Sequence, residues 1–172
     1  MTTIQMVASA CIESLKNGGK ILLAGNGGSA AQASHLAGEL MGKFAFDRPG
    51  LPAMALTTDT CVITAIGNDF GFDHIFTRQI KAHGKKGDVF IGFSTSGSSE
   101  NILLAFEQAR ACGLVCIGFT GNRGGPMREL CDFLIEAQSD ETPRIQEEHL
   151  RLGHILCGIV EESLFNEASP IP

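Results

Sequence analysis

Short unbroken apolar runs alternate along the chain with stretches whose apolar residues recur every three or four positions. The first such stretch, residues 3–17, places Ile4, Val7, Ala8, Cys11 and Leu15 on one helical face and ends at Gly18-Gly19. Lys20–Ala24 then reads as a strand, a glycine loop covers 25–28, and a helix runs from about Ser29 to Met41. Strands are predicted at Leu51–Leu56, Asp88–Phe93, Leu114–Phe119 and Phe133–Glu136. Helices are predicted at Asp59–Ile66, Phe72–Ala82, from Ser99 through Cys112, and at Thr142–Phe165. Strands that do not alternate, separated by helices, belong in a parallel sheet covered on both faces. Ligands of such sheets bind beyond the carboxyl ends of the strands. That rule selects the loops after Ala24 and after Phe93.

The length of 172 residues fits one domain, with a helix over 3–17, a sheet core over 20–136 and a closing helix over 142–165. No run approaches 18 consecutive apolar residues, and the first residues lack the pattern of a secretory signal. Six cysteines, several inside runs such as Leu114-Val115-Cys116-Ile117, form no CxxC pair and read as core thiols of a cytoplasmic protein. The net charge of −6 and the short longest basic cluster, Lys85-Lys86, exclude a nucleic-acid groove.

Glycine is in surplus, 21 of 172, and part of it lies in Gly25-Asn26-Gly27-Gly28-Ser29-Ala30. This segment satisfies the form of a dinucleotide fingerprint, but no acid closes the next strand as a ribose partner, so a nucleotide cofactor is not expected. The second loop, Ser94-Thr95-Ser96-Gly97-Ser98-Ser99, carries five hydroxyls where one would cap a helix. Hydroxyls and free N–H groups at a helix N-terminus suit a single phosphate monoester. His35 and Glu39 share a helix face at i, i+4. His74 and His83 suggest no role.

Seven motifs follow in order: Gly25-Asn26-Gly27-Gly28-Ser29, His35-x-x-x-Glu39, Arg48-Pro49-Gly50-x-Pro52, Gly67-Asn68-Asp69-Phe70-Gly71, Ser94-Thr95-Ser96-Gly97-x-Ser99, Thr120-Gly121, and Arg144-Ile145-Gln146-x-x-His149 through His154. Over residues 18–165 the chain resembles the phosphoheptose isomerases, a branch of the sugar-isomerase (SIS) superfamily. The resemblance implies a flavodoxin-like three-layer α/β sandwich with a five-stranded parallel sheet, and a homotetramer with sites at its interfaces. It implies interconversion of sedoheptulose 7-phosphate and D-glycero-D-manno-heptose 7-phosphate, for the activated heptose of surface polysaccharides such as lipopolysaccharide. By position, Ser94, Thr95, Ser96 and Ser99 would hold the phosphate, while Asn26, Gly27, Gly28, Ser29, Asn68, Asp69, Glu39 and Gln146 would complete the substrate site. Glu39 and His154 would be the acid/base pair, and His35, Glu39, Gln146 and His154 would hold one Zn2+ per site. The family pattern also has a helical stretch before the segment matching Thr3–Leu15, and this sequence begins after it.

The chemistry is coherent on its own terms. A carboxylate and an imidazole can move the protons of an enediol near neutral pH, and a divalent ion can polarise the carbonyl. Glu39 then has two candidate duties, ligand and base. Gln146 and His154 are separated by about 12 Å of helical rise. Either Gln146 precedes the helix proper, or one site draws ligands from more than one subunit. The alternative function is a non-catalytic SIS protein that binds a sugar phosphate or a protein partner. An isomerase of another ketose phosphate is the third reading.

Overall fold

The computed structural model describes residues 1–166. Its sheet comprises β1 (Ile21–Gly25), β2 (Ala53–Ala55), β3 (Val89–Phe93), β4 (Val115–Thr120) and β5 (Phe133–Glu136). The helices are α1 (Thr3–Lys16), α2 (Gly28–Met41), α3 (Thr60–Phe70), α4 (Thr77–His83), α5 (Glu100–Ala111) and α6 (Thr142–Phe165). All strand pairings are parallel, in the order β2-β1-β3-β4-β5. This is the doubly wound order, and its topological switch point lies between β1 and β3.

Every residue of β1 and β3 is buried, as the apolar runs require. Successive side chains point to opposite faces, and each face has its own core. Ile21, Leu23, Val89 and Ile91 pack with Val7 and Cys11 of α1, Leu36 of α2, and Leu156 and Val160 of α6. Leu22, Ala24 and Phe90 pack with Ile80 of α4 and with Ile102 and Phe106 of α5. The three-layer expectation is met.

Local departures from the sequence reading have physical causes. The strand expected over 51–56 shrinks to Ala53–Ala55, because Pro52 has no N–H to give a ladder, although its carbonyl still accepts from Ile21 N at 3.0 Å. The helix expected over 72–82 splits into a 3-10 turn, Phe72–His74, and α4, with buried Ile75 and Phe76 between them. A second 3-10 turn, Pro126–Glu129, follows β4. Asn68-Asp69, between Gly67 and Gly71, lies in the last turn of α3, which extends past the Ile66 expected as its end.

All six cysteines are unpaired, and burial pushes the Cys11, Cys116 and Cys157 thiols up to about 12. Cys61 is exposed and departs from the core expectation.

Gly97 fixes one loop on another. Its φ is +66°, and a Cβ there would lie 2.1 Å from the Gly124 carbonyl oxygen. The space freed by the missing side chain is filled by protein backbone, not kept for ligand as its place in the serine loop suggests. We expect Gly97→Ala to lose on the order of 2 kcal/mol or more in urea unfolding, since backbone strain and a hard clash add. Wild-type stability in that variant would show that the loops separate freely.

Candidate active site

Both loops selected by the strand-end rule meet at the switch point. The glycine loop leaves β1 and enters α2 through Gly27, whose φ of +56° disfavours any side chain. The serine loop leaves β3 and enters α5. A reciprocal amide pair locks them together: Asn26 Nδ2 donates to Asn101 Oδ1 at 2.8 Å, and Asn101 Nδ2 donates to Asn26 Oδ1 at 2.9 Å. Asn101 is buried and was not singled out by the sequence pattern. Ser29, expected among the substrate contacts, is buried beneath the glycine loop.

The serine loop is a hydroxyl network. Ser94 Oγ lies 2.9 Å from Ser99 Oγ and 3.4 Å from Ser96 Oγ, and Ser98 Oγ donates to Ser96 Oγ at 2.9 Å. Ser99 is the N-cap of α5, yet no side chain caps that helix. Capping therefore does not explain the hydroxyls. Thr95, Ser96 and Ser98 line a cavity of about 390 Å3 whose other walls include Gly121, Arg123, Asp140 and Ile145. Arg123 and Asp140 carried no earlier assignment.

A second cluster lies where α2 and α6 run side by side in the same direction. His35 Nε2 is 2.9 Å from His154 Nε2 and 3.2 Å from Glu39 Oε1. One ligand atom from each of the three residues falls within 4.8 Å of the others. The set fits zinc by chemistry and by spacing. Two imidazole nitrogens and a carboxylate are ordinary zinc donors, and tetrahedral coordination needs donor atoms roughly 3.3 Å apart at about 2.05 Å from the ion. Three protein ligands would leave a position for substrate.

Gln146 is inside α6 and does not precede it. Its amide lies against Gly28, where a Cβ would be 2.6 Å from Nε2. Gln32 donates to the Gln146 carbonyl. Within one chain, then, His35, Glu39 and His154 come together, and Gln146 lies beside the glycine loop. Asn68 and Asp69 are exposed at the end of α3, where Asn68 Nδ2 donates to Asp69 Oδ1 at 2.8 Å.

Much of this geometry hangs on a buried ion pair. Arg48 Nε meets Glu161 Oε1 at 2.9 Å, with side chains only 2% and 1% exposed. Glu161 also accepts from Phe44 N at 2.8 Å and Ala45 N at 2.6 Å. Burial would raise its carboxyl, but these two amides and the Arg48 guanidinium outweigh that and hold it below the usual carboxylate range. Arg48 donates in turn to the carbonyls of Glu39, Leu40 and Gly42, which α2 leaves free at its C-terminus. The pinned loop sets the Phe44 ring 5.7 Å from that of His154. One pair thus orders both sides of the cluster. An acidic residue beside Val160, within the helix face that carries Gly153, Leu156 and Cys157, was the available signal for Glu161.

His149, fully buried in α6, places Nε2 3.0 Å from the Thr120 carbonyl at the end of β4. Burial holds its pKa below the ordinary imidazole range, so it serves as a neutral strut rather than a charged group. His74 and His83 are exposed, in keeping with no assigned role.

Comparison with known proteins identifies the family. Residues 1–121 match the model of the SIS domain family. Over 167 residues the chain is 65% identical to a phosphoheptose isomerase of Burkholderia pseudomallei (strain 1710b), covering 97% of this chain and 85% of that one. It is 57% identical over 162 residues to that of Aneurinibacillus thermoaerophilus, covering 94% and 82%. The solved phosphoheptose isomerase of Neisseria gonorrhoeae superposes with a TM-score of 0.88 at 42% identity, covering 93% of this chain and 85% of that one. The chain belongs to the phosphoheptose isomerase family of SIS-domain proteins, and its class is that of an aldose–ketose isomerase. Among the described residues no helix is long and apolar enough to cross a membrane.

Replacing Glu161 by Ala would leave the Arg48 guanidinium buried without its counter-charge. We expect a loss of about 3–5 kcal/mol in unfolding free energy. Glu161→Gln, which keeps shape and some acceptors, should lose less. Equal stability of all three proteins would remove the pair from its organising place.

Proposed function

We propose that the chain interconverts sedoheptulose 7-phosphate and D-glycero-D-manno-heptose 7-phosphate, in the supply of activated heptose for surface polysaccharide. The observation that carries this reading is one carboxylate and two imidazoles gathered at the α2/α6 seam, in a chain that also builds a hydroxyl cradle at the end of β3. Ser94, Thr95, Ser96 and Ser99 take the phosphate. Gly27, Gly28 and Gln146 face the sugar, and Asn26, held by Asn101, sets the edge of that surface. The chain acts as one SIS domain in a reducing, cytoplasmic setting, in line with its six unpaired cysteines.

The reaction divides between two proton carriers. Starting from the ketose, a base removes a proton from C1 while an acid delivers one to the C2 oxygen, which gives the enediol. Return of a proton to C2 and loss of one from the C1 hydroxyl then leaves the aldehyde. We assign these two roles to Glu39 and His154, a carboxylate and an imidazole. Zinc held by His35, Glu39 and His154 would supply Lewis-acid polarisation of the carbonyl oxygen. Glu39 serves as base in the stages when its carboxylate is not committed as a ligand. Because Gln146 of the same chain lies two helical turns away, a fourth ligand of that type would be a Gln146 supplied across a subunit interface.

We expect Glu39→Gln and His154→Ala to abolish turnover of sedoheptulose 7-phosphate while the proteins remain folded. Full activity in either would end the acid/base assignment. The same assay beside fructose 6-phosphate separates the heptulose reading from a broader ketose isomerase. Metal analysis of the purified protein, with activity followed through chelation and zinc readdition, tests the ion; a metal-free, fully active preparation would exclude it.

A homotetramer is the second part of the proposal. Helix α3 has the sequence of an apolar element, with Val62, Ile63 and Ile66, yet none of its residues is buried. Phe70 is 49% and Phe72 60% exposed. A second copy of the chain covering this face would remove it from water and would bring Asn68 and Asp69 to a neighbouring site. Ile63 and Ile66 pack in part against the chain's own core, so the exposed Phe72 is the test: Phe72→Glu should lower the mass measured by light scattering and lower activity with it. A monomeric, fully active wild type would refute both statements.

A further inference from the structure

We infer that Arg123 is the cation of the phosphate subsite, held in reserve by Asp140 and transferred to the substrate phosphate on binding. The inference deepens the proposed function and rests on its assignment of the serine loop to a phosphate.

Arg123 and Asp140 are the charged residues of the cavity whose wall is formed by Thr95, Ser96 and Ser98. Arg123 stands on the loop after β4, and that loop is fastened to the serine loop by main-chain contacts. Gly121 N donates to the Thr95 carbonyl at 3.1 Å, and Met127 N donates to the Gly97 carbonyl at 3.1 Å. The carbonyl of Gly124, next to Arg123, fills the space that a side chain at Gly97 would need. The guanidinium is therefore carried by backbone that cannot drift from the hydroxyls. On the same loop, Arg128 is engaged by Glu136 at 2.5 Å.

The resting partner is a weak one. Arg123 Nε lies 3.3 Å from Asp140 Oδ1, and the two side chains are 83% and 57% exposed. A pair this open to water contributes little, so exchanging it is cheap. A phosphate dianion offers the guanidinium a planar two-point contact and a larger charge. Hydroxyls and amide N–H groups alone would leave that dianion without a counter-charge. Asp140 keeps the empty cavity near neutral, and it sets a threshold that a dianion passes and a neutral sugar does not.

Calorimetric titration with inorganic phosphate reads this without turnover. We expect Arg123→Gln to weaken phosphate binding on the order of 10- to 100-fold, the range for a lost charge-assisted hydrogen bond. Arg123→Lys should recover part of the loss, and Asp140→Asn should tighten binding. The double variant should match Arg123→Gln, because Asp140 acts through the arginine. In turnover, Arg123→Gln should raise the KM for sedoheptulose 7-phosphate by a similar factor and leave kcat within about twofold, as for uniform binding. Phosphate affinity unchanged in Arg123→Gln overturns the inference. Ser96→Ala separates the two levels. Phosphate binding lost there but intact in Arg123→Gln spares the serine loop and removes the arginine. Binding intact in both removes the phosphate assignment itself.

Discussion

The constraint on which the rest depends is the burial of Arg48 against Glu161. Two full charges are removed from water, and only complete satisfaction of their hydrogen bonds makes that tolerable. The structure meets the demand by drawing in the free carbonyls at the end of α2 and the amides of Phe44 and Ala45. Satisfying the pair fixes where α2 stops, how residues 42–48 turn, and how closely α6 lies alongside. Glu39 and His154 stand on the two elements so joined. The His35–Glu39–His154 cluster is ordered by an interaction that lies outside it.

The other end of the site follows from topology. A 2-1-3-4-5 sheet opens a crevice between β1 and β3, and the first turns of α2 and α5 face each other across it. Two asparagines close that crevice with complementary amides, a contact that neither loop could specify alone. Gln146 lies against Gly28 at the glycine loop, apart from the metal-type cluster. The division suits a phosphorylated sugar, whose anionic tail and reactive carbonyl need different surroundings.

The sheet, its parallel sense and the two site loops were legible because apolar runs and glycine punctuation are local signals. His35 and Glu39 were legible as a pair for the same reason, since four residues make one helical turn. Their grouping with His154 came only through the family resemblance, because no local pattern reports a contact across 119 positions of sequence. Asn101 was missed for a related reason, since it looks like an ordinary surface residue until its partner is known, whereas Glu161 left a signal on the apolar face of α6. The role of Gly97 was not legible, because the Gly124 carbonyl it makes room for is distant in sequence. Gln146 was grouped with the histidines as a ligand, and within the chain its amide lies against Gly28 instead.

An acidic protein with the proposed phosphate site faces an electrostatic problem, and the distribution of charge indicates how it would be met. A net charge of −6 opposes the approach of a dianion from a distance. A strongly basic pocket would offset this but would also retain any free anion and hinder product departure. In the proposed site, hydroxyls and helix N–H groups would recognise the tetrahedral shape instead, and they carry no net charge to be desolvated in the empty state. A single arginine already paired with aspartate adds attraction only when a stronger partner than the carboxylate arrives. Selectivity for a phosphate ester then resides in the difference between two partners of one guanidinium, which a pocket of several unpaired lysines would not provide.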